Sequence, residues 1–358
     1  MSTVHPELSI IIPTLNESFE LQSLFSNLAK QEKSIFEVIV CDGGSGDGTL
    51  DLAVNLAPVQ PFSVKIVRSP AGRGNQMNQG ADVASAELLL FLHADSRFTD
   101  NQALFKAVTA FEGQLNDHGS PLRAARFKLN FRRSQEEASL AYFFYESKAR
   151  LNRVDCIRGD QGFMITSSFF HQLGGFNTSL PYLEDIRLAT LVQQRATWQL
   201  LPVEISTSAR RFEMEGLCQR QILNAVIVNN LVVGWTEFFD EHGIYCSHAS
   251  TGKLLLHPLL EGIRIRLAER PASWRLKFWL GTGKHVSSNI WQLLFWLDVR
   301  RDFRRGKDAG VVAPLWLAFY QRYFESLTRN PVMSVITAIA VWIWFRVLLV
   351  KSRISELS

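Results

Sequence analysis

The sequence is poor in cysteine, in net charge and in the glycine signatures of the common nucleotide folds. Its four cysteines, Cys41, Cys156, Cys218 and Cys246, lie far apart without a CxxC pair, so neither a zinc site nor a disulfide framework is indicated and a reducing compartment fits. No GxGxxG follows the first apolar run and no GxxxxGK[ST] loop occurs, which argues against a Rossmann dinucleotide site and a P-loop NTPase. The balance of 38 Lys and Arg against 34 Asp and Glu is too even for nucleic acid to be the main partner. Met1 to Glu7 lacks a basic stretch leading into an apolar core, so no secretory signal is expected and the front of the chain is expected in the cytosol. Tryptophan is nearly missing from the first two thirds, where only Trp198 precedes residue 235, while eight lie from Trp235 onward.

What remains is a globular composition, 47% apolar and 20% charged, at a length that suits one large domain or two. Leu8 to Ile12, ended by Pro13, reads as a buried parallel strand. Leu21, Leu24, Phe25 and Leu28 then form the stripe of an amphipathic helix over 20–30. Further strands are predicted at 36–41, 64–67 and 88–92, with helices from Asp47 to Leu56 and over 74–84 between them. Strands and helices alternating in this way predict an α/β fold with an open, mostly parallel sheet covered by helices, whose ligands bind at the C-terminal strand ends.

Those ends carry Pro13-Thr14-Leu15-Asn16-Glu17, Asp42-Gly43-Gly44-Ser45-Gly46-Asp47-Gly48-Thr49, Arg68 to Gly74, and His93-Ala94-Asp95. Together with Glu184-Asp185 this ordered set resembles the inverting family 2 glycosyltransferases of the GT-A fold, over roughly residues 8 to 212. Gly72-Arg-Gly-Asn-Gln-Met-Asn-Gln-Gly80 and Leu89-Leu-Phe-Leu-His-Ala-Asp95 resemble, within it, the short bacterial subgroup known as radical-SAM/selenodomain-associated transferase 2.

The resemblance implies a nucleotide-sugar donor held by Pro13, Thr14, Asn16, Glu17, Asp42, Gly44, Arg73, Gln76, Asn78, His93, Ala94 and Asp95. Asp42 would contact the nucleobase, while an Asx-turn is the structural alternative, and the one favoured for Asp47. His93-Ala94-Asp95 replaces the family's Asp-x-Asp, so Asp95 would hold Mg2+ or Mn2+ on the donor diphosphate. His93 is open to three uses: touching the ribose, ligating Mn2+, or packing. Arg73 opens a helix after a glycine turn and is a donor contact or a solvated arginine; Gln76 and Asn78 read as polar residues of an exposed helix face. Gly159, Asp160 and Gln161 match the segment that shapes the acceptor side. Asp185 would be the base that deprotonates the acceptor and Glu184 its supporting neighbour, although helix capping alone could explain both acids. Arg210 and Arg211, after a strand at 203–207, would clamp a donor or acceptor phosphate, or stand solvated.

Residues 1–212 thus form the expected catalytic domain, 213–240 a connecting amphipathic helix, and 241–358 a helical module with its own electrostatics. Between Lys253 and Lys307 there are 12 Lys and Arg against four acids. Basic residues interleaved with Trp and Leu suit an anionic membrane surface or a lipid-linked acceptor, with a Trp-rich soluble subdomain as the alternative. Pro331 to Val350, interrupted only by Arg346, is long enough to span a bilayer, to lie in its interface, or to pack as a buried helix. The expected activity is inverting sugar transfer to a lipid-linked or membrane-proximal hydroxyl at the cytoplasmic face of the inner membrane. A polyprenyl-phosphate acceptor, or a degenerate scaffold that only binds nucleotide sugar, are the rivals.

Overall fold

Successive residues of a strand face opposite ways, and in the first strand, β1 (Leu8–Thr14), all seven are buried. Leu8, Ile10 and Ile12 enter one core with α1 (Ser18–Leu28), while Ile11 enters a second core on the opposite face. β2 (Phe36–Asp42) and β4 (Leu88–Phe91) divide in the same way. The computed structural model describes residues 5–113, 123–135, 137–179, 183–240 and 252–357. Met1 to Val4, Pro181, Tyr182, Cys246 and the opening of the expected C-terminal module lie outside the described residues.

With β3 (Ser63–Arg68), β5 (Ala124–Arg132), β6 (Phe163–Thr166) and β7 (Trp198–Ser208), the strands form one sheet of order β3-β2-β1-β4-β6-β5-β7. The first four are parallel, β6 runs antiparallel to β4 and β5, and β7 is parallel to β5. This is the helix-covered, mostly parallel sheet of the GT-A type that the resemblance implied. α2 (Thr49–Leu56) and α4 (Ala103–Glu112) pack with α1 against the first face. α3 (Arg73–Asp82), α6 (Ser167–Gln172) and α7 (Glu184–Arg195) cover the second. At Gly80, α3 lies so close to β1 and β2 that a methyl group would run into Ile11 and Cys41.

Two compact units divide the chain: Met1–Arg132 with Tyr145–Ser208, and Arg133–Phe144 with Ala209–Ser358. α5 (Leu140–Ala149) carries the chain from the second back into the first. The second unit is built of helices α8 (Arg210–Glu215), α9 (Leu217–Val233), α10 (Leu256–Glu269), α11 (Ala272–Ser288), α12 (Trp291–Arg304), α13 (Leu315–Tyr323), α14 (Glu325–Thr328) and α15 (Pro331–Leu357). The connecting helix expected over 213–240 is broken at Gly216 (φ 88°) and Gly234 (φ 78°), positive-φ positions that end helices and that glycine adopts freely. Leu223, Trp235, Leu259, Ile263, Phe278 and Phe345 belong to its hydrophobic core.

Gly80→Ala must push a methyl group into two packed strands. It should lower the unfolding free energy by about 1–3 kcal/mol, read as a lower urea midpoint at unchanged m-value.

Candidate active site

The register lays Thr14, Asp42 and Arg68 side by side at the C-terminal edge of the sheet, and Leu92 pairs its N–H with Ile11 just before His93. β1 lies between β2 and β4, so the crevice opens where the strand order reverses. On the β2 side Asp42 is 2% exposed, and its Oδ2 accepts the N–H groups of Gly44 and Ser45 at 3.0 Å each. Ser45 Oγ donates to Oδ1, so this carboxylate organises an Asx-turn. Gly44 (φ 91°) would have open space before a side chain, so the turn presents bare backbone to the crevice. Asn16 (φ 57°) accepts the Gly46 N–H, and Asp47 accepts the N–H groups of Ser18 and Thr49, which joins the Pro13–Glu17 segment to this turn.

On the β4 side, Thr207 Oγ1 donates to Asp95 Oδ2 at 3.2 Å and Arg132 Nη2 donates to the Asp95 carbonyl at 2.9 Å. Beneath, Arg97 is buried and donates to the Ala94 and Ser96 carbonyls and to Glu20. A buried guanidinium with this many acceptors fixes the turn that carries Asp95.

The third wall comes from later in the chain. Asp185, in the first turn of α7, accepts the Gly159 N–H on Oδ2 at 2.9 Å and its own neighbour's N–H, that of Ile186, on Oδ1. A Cβ at Gly159 would stand 3.4 Å from both His93 Nε2 and Asp185 Cβ, so His93 and Asp185 converge on this glycine. The turn into α7 passes through Leu183 at φ 69°, a left-handed conformation costly for a branched side chain. Burial, and then the charge of Asp185, raise the pKa of Glu184, while Arg73 opposes the shift. Arg73 at the start of α3 is therefore an electrostatic neighbour of the α7 N-terminus.

Asp160 is the most perturbed group here. Burial pushes its carboxyl up to about 7, helped by the like charges of Asp185 and then Asp95. Its Oδ1 is buried with no hydrogen-bond partner. A solvent-shielded carboxylate oxygen lacking a donor, within electrostatic reach of two more carboxylates, suits a hard divalent cation. Among the described residues no group of three or more His, Cys, Asp or Glu is poised to chelate one. The unpartnered Asp160 Oδ1, with the charge of Asp95 felt there, is an oxygen donor of the kind Mg2+ or Mn2+ takes.

Several expected site residues serve the fold instead. Gln76 is not on an exposed helix face: it is 2% exposed, and its amide donates to the carbonyls of Thr14 and Cys41 at 2.7 Å each, tying β1 to β2. Asn78 pairs in both directions with the backbone of Phe176. Gln161 is buried between the Cys156 carbonyl and Arg126. Pro13, Thr14 and Ala94 are buried as well, which leaves mainly their backbone to meet a ligand. Glu17 lends its N–H to Thr49. Arg210 and Arg211 open α8 in the second unit, where Arg211 stands 4.0 Å from Glu215.

Sequence reasoning missed Arg132, Thr207, Arg97 and Arg126, all of which position the site. Arg126 was detectable in principle, since an arginine in the apolar run Ala124-Ala-Arg-Phe127 must find buried acceptors; it donates to the carbonyls of Ala149 and Leu151.

Because the folded chain holds the Asp160 proton more tightly than the unfolded chain, the stability this group contributes is lost as pH rises from about 4 through 7. In metal-free buffer Asp160→Asn should melt several degrees above the wild type at pH 8, at about 2–4 °C per kcal/mol for a domain of this size, and the gap should close toward pH 4.

Residues 9–174 match the family described as Glycosyl transferase family 2. A PGL/p-HBAD biosynthesis glycosyltransferase of Mycobacterium bovis is 40% identical over 110 residues, which is 30% of this chain and 43% of that protein. Glycosyltransferase AglE of Haloferax volcanii is 32% identical over 98 residues, 26% of this chain and 32% of that protein. The chain therefore spans less than half the length of these curated relatives. The mannosyltransferase PcManGT of Pyrobaculum calidifontis, solved with GDP-Man and Mn2+, superposes with a TM-score of 0.50 at 16% identity, covering 99% of this chain and 88% of that one. Asp42 and Asp95, at the switch point of the helix-covered sheet, thus lie within the stretch, residues 9–174, that is similar to Glycosyl transferase family 2.

Proposed function

We propose that the protein transfers a sugar, with inversion, from a nucleoside diphosphate donor to an acceptor hydroxyl carried at a membrane. The observation that carries this reading is the Asp185 carboxylate, held by the Gly159 N–H beside His93, with its charge felt at Asp160. In this reading Asp185 Oδ takes the proton of the acceptor hydroxyl as its oxygen forms a bond to the anomeric carbon. The bond from that carbon to the diphosphate oxygen breaks on the opposite face, and the nucleoside diphosphate leaves with the electron pair. Glu184 sits behind the base, and its raised pKa keeps a second full negative charge from forming cheaply next to Asp185.

The donor base would lie on the bare backbone of Gly43 and Gly44, in the turn shaped by Asp42. Asp95, with Asp160, would hold Mg2+ or Mn2+. When bound, that cation neutralises charge developing on the departing diphosphate. Arg73 would meet the donor from the start of α3. Since PcManGT binds GDP-Man with Mn2+, GDP-sugars come first in a donor panel, with UDP- and dTDP-sugars beside them.

The likeness to the short bacterial subgroup belongs to the same proposal. So do the cytoplasmic face of the inner membrane and the lipid-linked acceptor, which the basic, tryptophan-rich C-terminal third supports.

Calorimetric titration with that panel, with and without Mn2+, should find one donor whose binding needs the metal and is lost in Asp95→Ala. Asp185→Asn should keep donor binding and lose about 100-fold or more in transfer rate, as removal of a general base does. Full transfer by Asp185→Asn would refute the base, and no donor binding would refute the activity.

A further inference from the structure

α15 is 27 residues long and holds the longest apolar stretch of the chain; Pro331–Ile354, at 1.5 Å per residue, measures about 36 Å, enough to cross a bilayer. Its surroundings argue for a different use. With 3.6 residues per turn, Ala338, Phe345, Leu349 and Ser352 fall on one side of the helix, and all four are buried. That side packs along α11 and α10. Trp279 of α11 meets Phe345 at 5.8 Å between ring centroids, and Phe345 and Leu349 share a core with Leu259 and Ile263 of α10. Gly283 of α11 has no room for a methyl group against the Ser334 carbonyl and Ala338.

The partner helices carry charge along their length: Glu261 and Arg264 in α10, and Arg275, Lys277 and Lys284 in α11. A helix spanning the hydrocarbon with these partners attached would drag several ionic groups to its own depth, where nothing solvates them.

The opposite side of α15 is exposed and apolar over the same length: Val332 65%, Ile336 53%, Ile339 56%, Ile343 51%, Val347 48% and Val350 59%. Trp342 and Trp344 flank this stripe, and Arg346, Lys351 and Arg353 are exposed at its margins. Between Leu315 and Ile354 there are five basic residues against one acid, Glu325, and Arg329 is ion-paired with that acid. An apolar stripe bordered by indoles and cations is complementary to an anionic lipid surface, with the stripe among acyl chains and the cations among headgroups.

We infer that α15 is a monotopic anchor: it lies in the plane of an anionic bilayer, outer face down, and does not cross it. In taking a bilayer as the partner this deepens the membrane-proximal acceptor proposed above. Its test reads lipid binding and topology, not transfer, so the two readings fail separately.

The full chain should co-sediment with 7:3 phosphatidylcholine:phosphatidylglycerol vesicles at 50 mM NaCl and much less with phosphatidylcholine alone. Ile339→Glu with Ile343→Glu should lower that partition tenfold or more while the melting temperature and donor titration stay as in the wild type, since both side chains point away from the core. Lys351→Gln with Arg353→Gln should reduce the preference for phosphatidylglycerol. In sealed inside-out membrane vesicles, tags at both ends of the full chain should be digested by added protease. A protected C-terminal tag would overturn the inference in favour of a spanning helix. Unchanged sedimentation of the Ile339/Ile343 variant would overturn it too. So would a wild type that ignores vesicles and is dimeric by light scattering while the variant is monomeric, which would make a second copy the cover of this face.

Discussion

Like charge gathered around Asp160 is the constraint around which the first unit is arranged. Asp95, Asp160 and Asp185 come from separate parts of the chain, and the charges of Asp185 and Asp95 add to burial in raising the cost of ionising Asp160. Left alone such groups would separate or take up protons. They stay together because each is fixed by something stiffer than its own side chain. Asp95 rides on a turn fastened by Arg97 and Arg132, Asp160 on a turn whose next residue is clasped by Arg126, and Asp185 on a helix start held by the Gly159 N–H. The sheet supplies the stiffness, since β1, β2 and β4 are buried on both faces. Preorganised negative charge of this kind favours whatever cation or proton arrives to relieve it.

Buried polar side chains do the fastening. Gln76 joins two strand ends, Asn78 joins α3 to the loop after α6, and Arg126 joins β5 to the end of α5. Each satisfies backbone groups that would otherwise be buried without partners, so each is structural although it lies beside the site. Proximity to a ligand crevice and contact with a ligand are therefore different properties in this fold.

In the second unit an inverted pattern organises the last helix. A helix of a soluble subdomain ordinarily buries its apolar stripe and shows polar residues outside. α15 buries a narrow side that includes Ala338 and Ser352, and turns its broad isoleucine and valine face outward. Small residues on the inner side allow the close approach at Gly283, and the outward face is then free for a solvent other than water.

The apolar run Leu8 to Ile12, the stripe from Leu21 to Leu28 and the polar strand ends were enough, by local pattern alone, to predict a parallel sheet and, from the habit of such sheets, the edge where ligands are expected. Helix limits shifted by a residue or two, and β5 escaped notice because Ala124 to Arg132 mixes charge into an apolar strand whose partners, β6 and β7, lie far along the chain. Asp42, Asp95 and Asp185 were singled out because their motifs resemble those of a known family. What spacing could not convey was which polar residues are buried. Gln76 looked like a surface residue because burial depends on two strands that a helical stripe does not mention, and Asp160 looked ordinary because its pKa depends on Asp185 and Asp95. The sequence by itself determined the parallel half of the sheet and put Asp42 and His93-Ala94-Asp95 just past its strand ends, because apolar runs and helical stripes are local patterns. Only the tertiary structure decided which of those groups touch, because contact between distant segments is set by packing in three dimensions and not by separation along the chain.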